Sequence, residues 1–300
     1  MENQRTLRHA APCTGIGLHS GQKVSIVLKP APANTGIRFV RTDLGIEVAA
    51  TVANLGGPQM LQTGLRLGPA SVETIEHLLS ALRALGVDNL VVELNQPEVP
   101  IMDGSASPWV YLIQSTGTKD LGVPRKVIEI VSPVEVQDGD KRIAVYPSDR
   151  FKVTYSISFD HPLLRHQEKT VEVTEDTYVE EIAPARTFGF LKDVEMLRQR
   201  GLALGGSLDN AIVIAETGPL NPLRFEDEFV RHKMLDAIGD LALLGHPIRG
   251  HVVVHRGGHA LHTKFAEALL ARSDAWRYAE DSAAAPVASG ARVPARSAAR

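Results

Sequence analysis

Apolar and polar residues alternate over residues 22–29, with Val24, Ile26 and Leu28 on one side. That period of two is the signature of a half-buried strand. Residues 36–41 read as a second strand. Over 71–85 the spacing changes to that of a helix, with Ile75, Leu79 and Leu82 as its apolar stripe. Ser71 is a candidate N-cap and Gly86 a stop. A strand at 89–94 follows. Gln96-Pro97 and Pro100 then break the chain, and 107–116 reads as a helix with Pro108 near its start. The stretch 117–124 looks like a linker.

Beyond it the same order of elements returns. Strands are expected at 126–131, 139–146 and 151–159, a long helix at 225–244, a strand at 251–255 and a helix at 259–272. The pattern predicts an α+β protein of two domains with similar element order, each a helix layer packed on a β-sheet. The expected boundaries are 1–120 and 125–278. An extra stretch, 187–214, interrupts the second half with a helix at 193–200, the pair Gly205-Gly206 and a strand at 211–214. No residue-level repeat accompanies the repeated order. Residues 279–300, rich in Ala, Pro, Ser and Arg, read as a disordered tail.

Composition narrows the classes. The chain has 300 residues, 44% hydrophobic and 22% charged, enough to build two modest cores and too apolar for a disordered chain. A net charge of −3 gives no electrostatic footprint for broad nucleic-acid binding. The single cysteine, Cys13, excludes an internal disulfide and any cluster built on several cysteines. The first ten residues are polar, without the apolar core of a secretory signal, and no run approaches the roughly 18 apolar residues of a membrane span. A cytoplasmic monomer without a transmembrane segment is expected.

The candidate chemistry sits on helices. At about 100° per residue, His232, Lys233, Asp236 and Asp240 share one arc of the 225–244 helix, while Val230, Met234, Leu235, Ile238 and Leu241 lie opposite. His and Asp at i and i+4 can grip one metal, or can simply form a solvated pair. On the 71–85 helix, Glu76 and His77 lie off the apolar stripe, as a metal ligand beside a general base or as an exposed charged pair. Two His and one Asp would leave a catalytic zinc an open position for water, but nothing in the spacing brings His77 to His232. In Arg256-Gly257-Gly258-His259, the histidine falls at a helix N-terminus, where the dipole disfavours its protonated form. A general acid there needs a compensating carboxylate, and Asp240 is the candidate; the alternative is a neutral capping histidine. The turn Gly15–Gly21 fits no phosphate loop, and Asp103 can be a plain turn residue.

Gly15–Gly21, Thr74–Leu78, Pro100–Ser105, Ala185–Phe190, Leu204–Ser207, Leu223–Asp240 and Gly258–Leu261 together resemble, in order, the zinc-dependent UDP-3-O-acyl-N-acetylglucosamine deacetylase family of lipid A biosynthesis. The resemblance implies that the active site lies between the two domains. It implies zinc ligands at His77, His232 and Asp236, a general base at Glu76, and a general acid at His259 oriented by Asp240. It also implies an oxyanion-stabilising hydroxyl at Thr187. Substrate contacts are implied for Lys233, Phe188, His19, Met60 and Thr63. The insert would form an acyl passage lined by Leu191, Val194, Ala203, Leu208 and Val213, although the same five residues could be ordinary core. The implied substrate is a UDP-linked, acylated amino sugar, and iron(II) could occupy the same donor set. A zinc peptidase and a catalytically dead binding protein are the competing readings. His262 departs from the family pattern, where an asparagine is expected.

Overall fold

A computed structural model describes residues 2–57, 61–161 and 164–280. The alternation at 22–29 is strand Lys23–Pro30, with Val24, Ile26 and Leu28 buried. This strand belongs to a five-stranded sheet ordered Ala11–Ile16, Lys23–Pro30, Leu90–Leu94, Ile37–Arg41, Ile46–Ala49. Leu90–Leu94 runs antiparallel to Lys23–Pro30 and parallel to Ile37–Arg41.

Six α-helices stand among the described residues: α1 (Glu76–Ala84), α2 (Ser107–Thr116), the single turn α3 (Glu175–Thr177), α4 (Leu191–Gln199), α5 (Glu228–Leu241) and α6 (His259–Ala271). The second half repeats the arrangement of the first around a seven-stranded sheet. Its strand Ile248–His255 follows the long helix α5, as Leu90–Leu94 follows α1. It too runs antiparallel to one neighbour, Lys141–Tyr146, and parallel to another, Phe151–Ile157. In both halves a further helix, α2 or α6, comes next. The fold is α+β, with the doubled order that the pattern predicts.

The halves meet where α1 packs on α5. Gly239 makes the approach: a Cβ there would stand 2.0 Å from the carbonyl oxygen of Glu76. Helix α5 also packs on α6 and on strand Phe151–Ile157. It is therefore covered on nearly all sides, and His232, Asp236 and Asp240 are as buried as Leu235 and Ile238. The solvated polar face that the sequence also allowed is absent.

Several expectations need correction. The helix expected over 71–85 starts only at Glu76, because Ala70–Glu73 pairs with Gly64–Leu67 as a hairpin and Thr74 turns left-handed (φ 57°). Ser71 is thus a strand residue, not an N-cap; the buried Ala70 and Val72 already carry a period of two. The stretch 117–124 is no linker: Thr118–Pro124 pairs antiparallel with Asn3–Leu7. Helix α5 starts at Glu228, later than residue 225. The Glu228 carboxylate accepts from the backbone N–H groups of Arg186 and Arg224 and from the Arg186 guanidinium, which pins the chain there. Strand Trp276–Glu280 was not anticipated, and it runs two residues into the expected tail. The rest of that tail, 281–300, lies outside the described residues.

The insert carries α4 and a small sheet of Phe188–Phe190, Ile212–Ala215 and Gly218–Pro219. It docks on the first half. Leu204 and Gly205 donate their N–H groups to the carbonyls of His19 and Leu18. A Cβ on Gly205 would stand 2.2 Å from the carbonyl oxygen of Gly17. The turn Gly15–Gly21 and the pair Gly205-Gly206 are therefore two sides of one backbone contact.

Candidate active site

Helix α5 presents His232, Asp236 and Asp240 on successive turns. The close α1–α5 contact sets Glu76 and His77, the first residues of α1, against them, and α6 brings His259 as its own first residue. The three helices converge on one buried polar cluster from both halves of the chain.

Three donor atoms meet at Asp236. Its Oδ1 lies 3.3 Å from His232 Nε2 and 3.6 Å from His77 Nε2. The two imidazoles stand edge-on, at 88°. His232 Nδ1 donates to the carbonyl of Ala185 at 3.0 Å, which leaves the Nε2 lone pair facing the cluster. Burial pulls the His232 pKa down to about 3, so that lone pair is free at neutral pH. Asp236 Oδ1 is buried with no hydrogen-bond donor. A buried carboxylate oxygen without a donor is costly unless a cation meets it. Two imidazole nitrogens and one carboxylate oxygen fit a zinc-type donor set.

Next to these donors lie a carboxylate and an imidazole tuned in a complementary way. Glu76 Oε2 accepts from the Thr63 backbone N–H at 3.1 Å, and its Oε1 lies 3.8 Å from His259 Nε2. Burial raises the Glu76 pKa against the opposing pull of His259 and His77. For His259 burial pulls downward, but Asp240, Glu76 and Asp236 outweigh it and push the pKa up to about 9. The dipole penalty at the α6 N-terminus is thereby overcome. Burial works against the charge of Asp240 as well, and the surrounding histidines hold its pKa below the usual value.

Asp240 is the hub of a hydrogen-bond network. Its Oδ2 accepts from His259 Nδ1 at 2.9 Å and from His262 Nδ1 at 2.8 Å, and its Oδ1 accepts from the Thr63 hydroxyl at 2.5 Å. Asp240, His259 and His262 also bring three donor atoms together. Both Nδ1 atoms face one carboxylate oxygen, which can only accept, so the contacts are those of a hydrogen-bond network. Thr63, expected at the substrate, commits its hydroxyl to Asp240 and its N–H to Glu76.

The remaining expected residues divide. Lys233 Nζ pairs with Asp236 Oδ2 at 2.7 Å and sits over the Phe188 ring, 5.4 Å from its centre. Phe188 stacks edge-on against His232 and Phe229. Thr187 is half-buried, held by its N–H to Gly104 and by its carbonyl accepting from Ile212. None of Leu191, Val194, Ala203, Leu208 and Val213 is buried, so they are not ordinary core. Leu191 and Leu208 are about half exposed, at 48% and 49%, as are Leu204 and Leu220. His19 lies under the insert, with the Ala203 N–H near its Nδ1 and its buried Nε2 lacking a partner. Asp103 closes its turn on Ser105 and also pairs with Arg224 of the other half. Met60 lies outside the described residues.

Sequence reasoning missed the network role of Thr63, and it missed Tyr155, whose hydroxyl meets His262 Nε2 at 3.0 Å. It also missed Glu98, a buried carboxylate that accepts from the N–H groups of His19 and Ser20 and fixes the Gly15–Gly21 turn. None of the three belongs to a spaced motif. Only the departure at His262 gave a signal.

Among the described residues no helix is long and apolar enough to cross a membrane. Comparison with known proteins agrees with the geometry. The sequence profile described as LpxC, UDP-3-O-acyl N-acetylglycosamine deacetylase, matches residues 4–271. UDP-3-O-acyl-N-acetylglucosamine deacetylase of Pseudomonas entomophila (strain L48) is 50% identical over 295 residues, covering 96% of this chain and 97% of its own. The enzyme of the same name from Hahella chejuensis (strain KCTC 2396) gives the same figures, 50% over 295 residues with 96% and 97% covered. That from Acidithiobacillus ferrooxidans (strain ATCC 53993 / BNL-5-31) is 50% identical over 286 residues, 93% of this chain and 94% of its own. With a profile that spans nearly all the described residues and relatives matched along nearly their whole length, this chain belongs to the UDP-3-O-acyl N-acetylglycosamine deacetylase family.

Proposed function

We infer that the protein hydrolyses the N-acetyl group of UDP-3-O-acyl-N-acetylglucosamine, giving acetate and UDP-3-O-acyl-glucosamine, the committed step of lipid A biosynthesis. The family is one of metal-dependent hydrolases. The observation that carries the reading is the convergence of His77, His232 and Asp236 beside the oppositely tuned pair Glu76 and His259. His77, His232 and Asp236 would hold the metal, zinc by its donor chemistry, with iron(II) compatible with the same set. When bound there, the metal supplies Lewis acidity, which acidifies water and polarises a carbonyl.

The chain's own groups do the proton work. Glu76, held by the Thr63 N–H and raised by burial, takes a proton from water as the new C–O bond forms. His259 enters the reaction protonated. Its Nδ1 is committed to Asp240, so Nε2 delivers a proton to the amide nitrogen as the C–N bond breaks. The facing distance of 3.8 Å between His259 Nε2 and Glu76 Oε1 lets the two act on one small group. The Thr187 hydroxyl supports the developing oxyanion. Lys233 offers charge to the anionic part of the substrate, and Phe188 a ring beside the sugar. His19 borders the substrate under the insert. The half-exposed apolar side chains of the insert, from Leu191 to Val213, suit an acyl chain better than water. A monomer working in the cytoplasm completes the reading.

The test is acetate release by the zinc-loaded protein from the acylated sugar nucleotide, with a simple N-acetyl peptide in parallel. Turnover of the sugar nucleotide alone supports the reading. Turnover of the peptide alone would replace it with a peptidase.

A further inference from the structure

Behind the acid pair stand groups that no step above uses. The Tyr155 hydroxyl lies 3.0 Å from His262 Nε2, and His262 Nδ1 lies 2.8 Å from Asp240 Oδ2. The same oxygen takes His259 Nδ1 at 2.9 Å. Tyr155, His262 and Asp240 are each fully buried. The donor roles follow from chemistry. An ionised carboxylate has no hydrogen to give, so both Nδ1 atoms donate to it. A buried phenol needs an acceptor, and His262 Nε2 is the one it meets. Burial raises the Tyr155 pKa well above its ordinary value, so the hydroxyl keeps its hydrogen.

The arrangement joins three elements: strand Phe151–Ile157 through Tyr155, α6 through His262 and α5 through Asp240. Room for it is kept by Gly257, where a Cβ would lie 2.9 Å from both His262 Nε2 and the Tyr155 oxygen. A carboxylate with one partner can rotate about its Cβ–Cγ bond. Asp240 cannot do so freely, since Thr63 holds Oδ1 and His262 holds Oδ2. With its plane fixed, Oδ2 faces His259 and sets the tilt of that ring. The ring then aims Nε2 between Glu76 Oε1 and Asp236 Oδ2, each 3.8 Å away.

We propose that His262 is a positioning residue for the acid pair: through its Nδ1 it fixes the Asp240 carboxylate and thereby aims His259. The proposal rests on the reading of His259 as general acid.

Two substitutions separate the two nitrogens of His262. In His262→Asn the amide nitrogen stands where Nδ1 stood, so the donor to Asp240 survives and the Tyr155 contact goes. In His262→Gln the terminal amide reaches Tyr155, and the donor to Asp240 goes. At matched zinc content and with unfolding midpoints recorded, Gln should lower kcat by about tenfold with KM within about twofold, while Asn stays within about threefold of the parent. Nitrogen-15 histidine spectra of the parent should show His262 carrying its hydrogen on Nδ1.

Equal loss of kcat in both variants, in step with lost stability, would make His262 merely structural. Parental kcat in the Gln variant, or a hydrogen on Nε2 in the parent spectrum, would overturn the proposal. The spectrum decides even if the Gln variant does not fold. Asp240→Asn, run alongside, keeps the two readings apart. If it retains parental kcat, the acid-pair reading falls; if it collapses while Gln does not, only the positioning role falls.

Discussion

Glu76 and His259 face each other across 3.8 Å, and burial acts on them in opposite senses. It pushes the carboxylate toward holding a proton and the imidazole toward losing one, yet three carboxylates reverse the second effect. On the proposed roles, Glu76→Ala should retain zinc by metal analysis and lose at least about a hundredfold in kcat, the usual scale for a proton-transfer group. Asp236→Ala should lose the zinc itself, because a buried ligand set reduced to two imidazoles binds weakly; unchanged zinc content would reject the ligand set.

The sign of the pH effect follows from the raised His259. Its pKa lies at about 9 against an ordinary 6.5. Its contribution to the stability of the metal-free protein is full below about 6.5 and disappears as pH rises through about 9. The same deprotonation removes the acid, so kcat/KM should fall on the alkaline side. A nearby divalent cation disfavours the imidazolium, which puts that limb at or below about pH 9. His259→Ala should abolish the limb along with most of the activity.

Much of this was legible. The i, i+4 spacing of His232 and Asp236 allowed a shared cation or a solvated pair, and burial removes the second; His259 at a helix start called for a carboxylate such as Asp240. Thr63 and Tyr155 were not legible as network members, because each reaches the cluster only through tertiary packing. In sequence they are one loop threonine and one strand tyrosine.

Among the elements, α1 and α5 matter most, and Gly239 is where they touch. Gly239→Ala adds one methyl against the Glu76 carbonyl, and the two helices must separate to hold it. Such overpacking costs about 3 kcal/mol, readable as a lower unfolding midpoint. Activity should fall further than stability alone accounts for, since His77 and Glu76 move away from α5. A variant with parental stability and activity would show that the helices do not need this approach.

Helix α1 starts late for a related reason. Helical spacing across 71–85 was real but incomplete. The hairpin of Gly64–Leu67 with Ala70–Glu73 captures the first residues, and Thr74 breaks the chain before Glu76. That break places Glu76 and His77 in the first turn, facing α5. The period of two at Ala70 and Val72 is too short to outweigh the helical spacing that follows it. The linker reading of 117–124 failed similarly, because Thr118–Pro124 pairs with the far N-terminal strand. In the insert, the exposed Leu191 and Leu208 predict a graded effect. Leu208→Asp should raise KM several-fold for long-chain substrate while leaving a short-chain analogue within about twofold.

In the whole molecule, a repeated order of strands, helix, strand and helix puts one helix from each half, α1 and α5, at the junction. The doubled order was visible in the sequence, and it is what brings His77 to His232. The distance between them in sequence carried no such information. The insert ties the halves together again through Leu204 and Gly205 on the Gly15–Gly21 turn, and Asp103 meets Arg224 across the same junction. The site is thus an interface property, and no fragment carrying one half should hold the metal at full affinity.

On the proposed roles, deacetylation depends on a metal held by His77, His232 and Asp236. The most direct measurement is acetate release from UDP-3-O-acyl-N-acetylglucosamine by the purified protein, before chelation, after chelation and after zinc is restored. Activity should disappear with the metal and return with it. Acetate release that survives complete removal of metal, or a fully zinc-loaded protein that releases none, would contradict it.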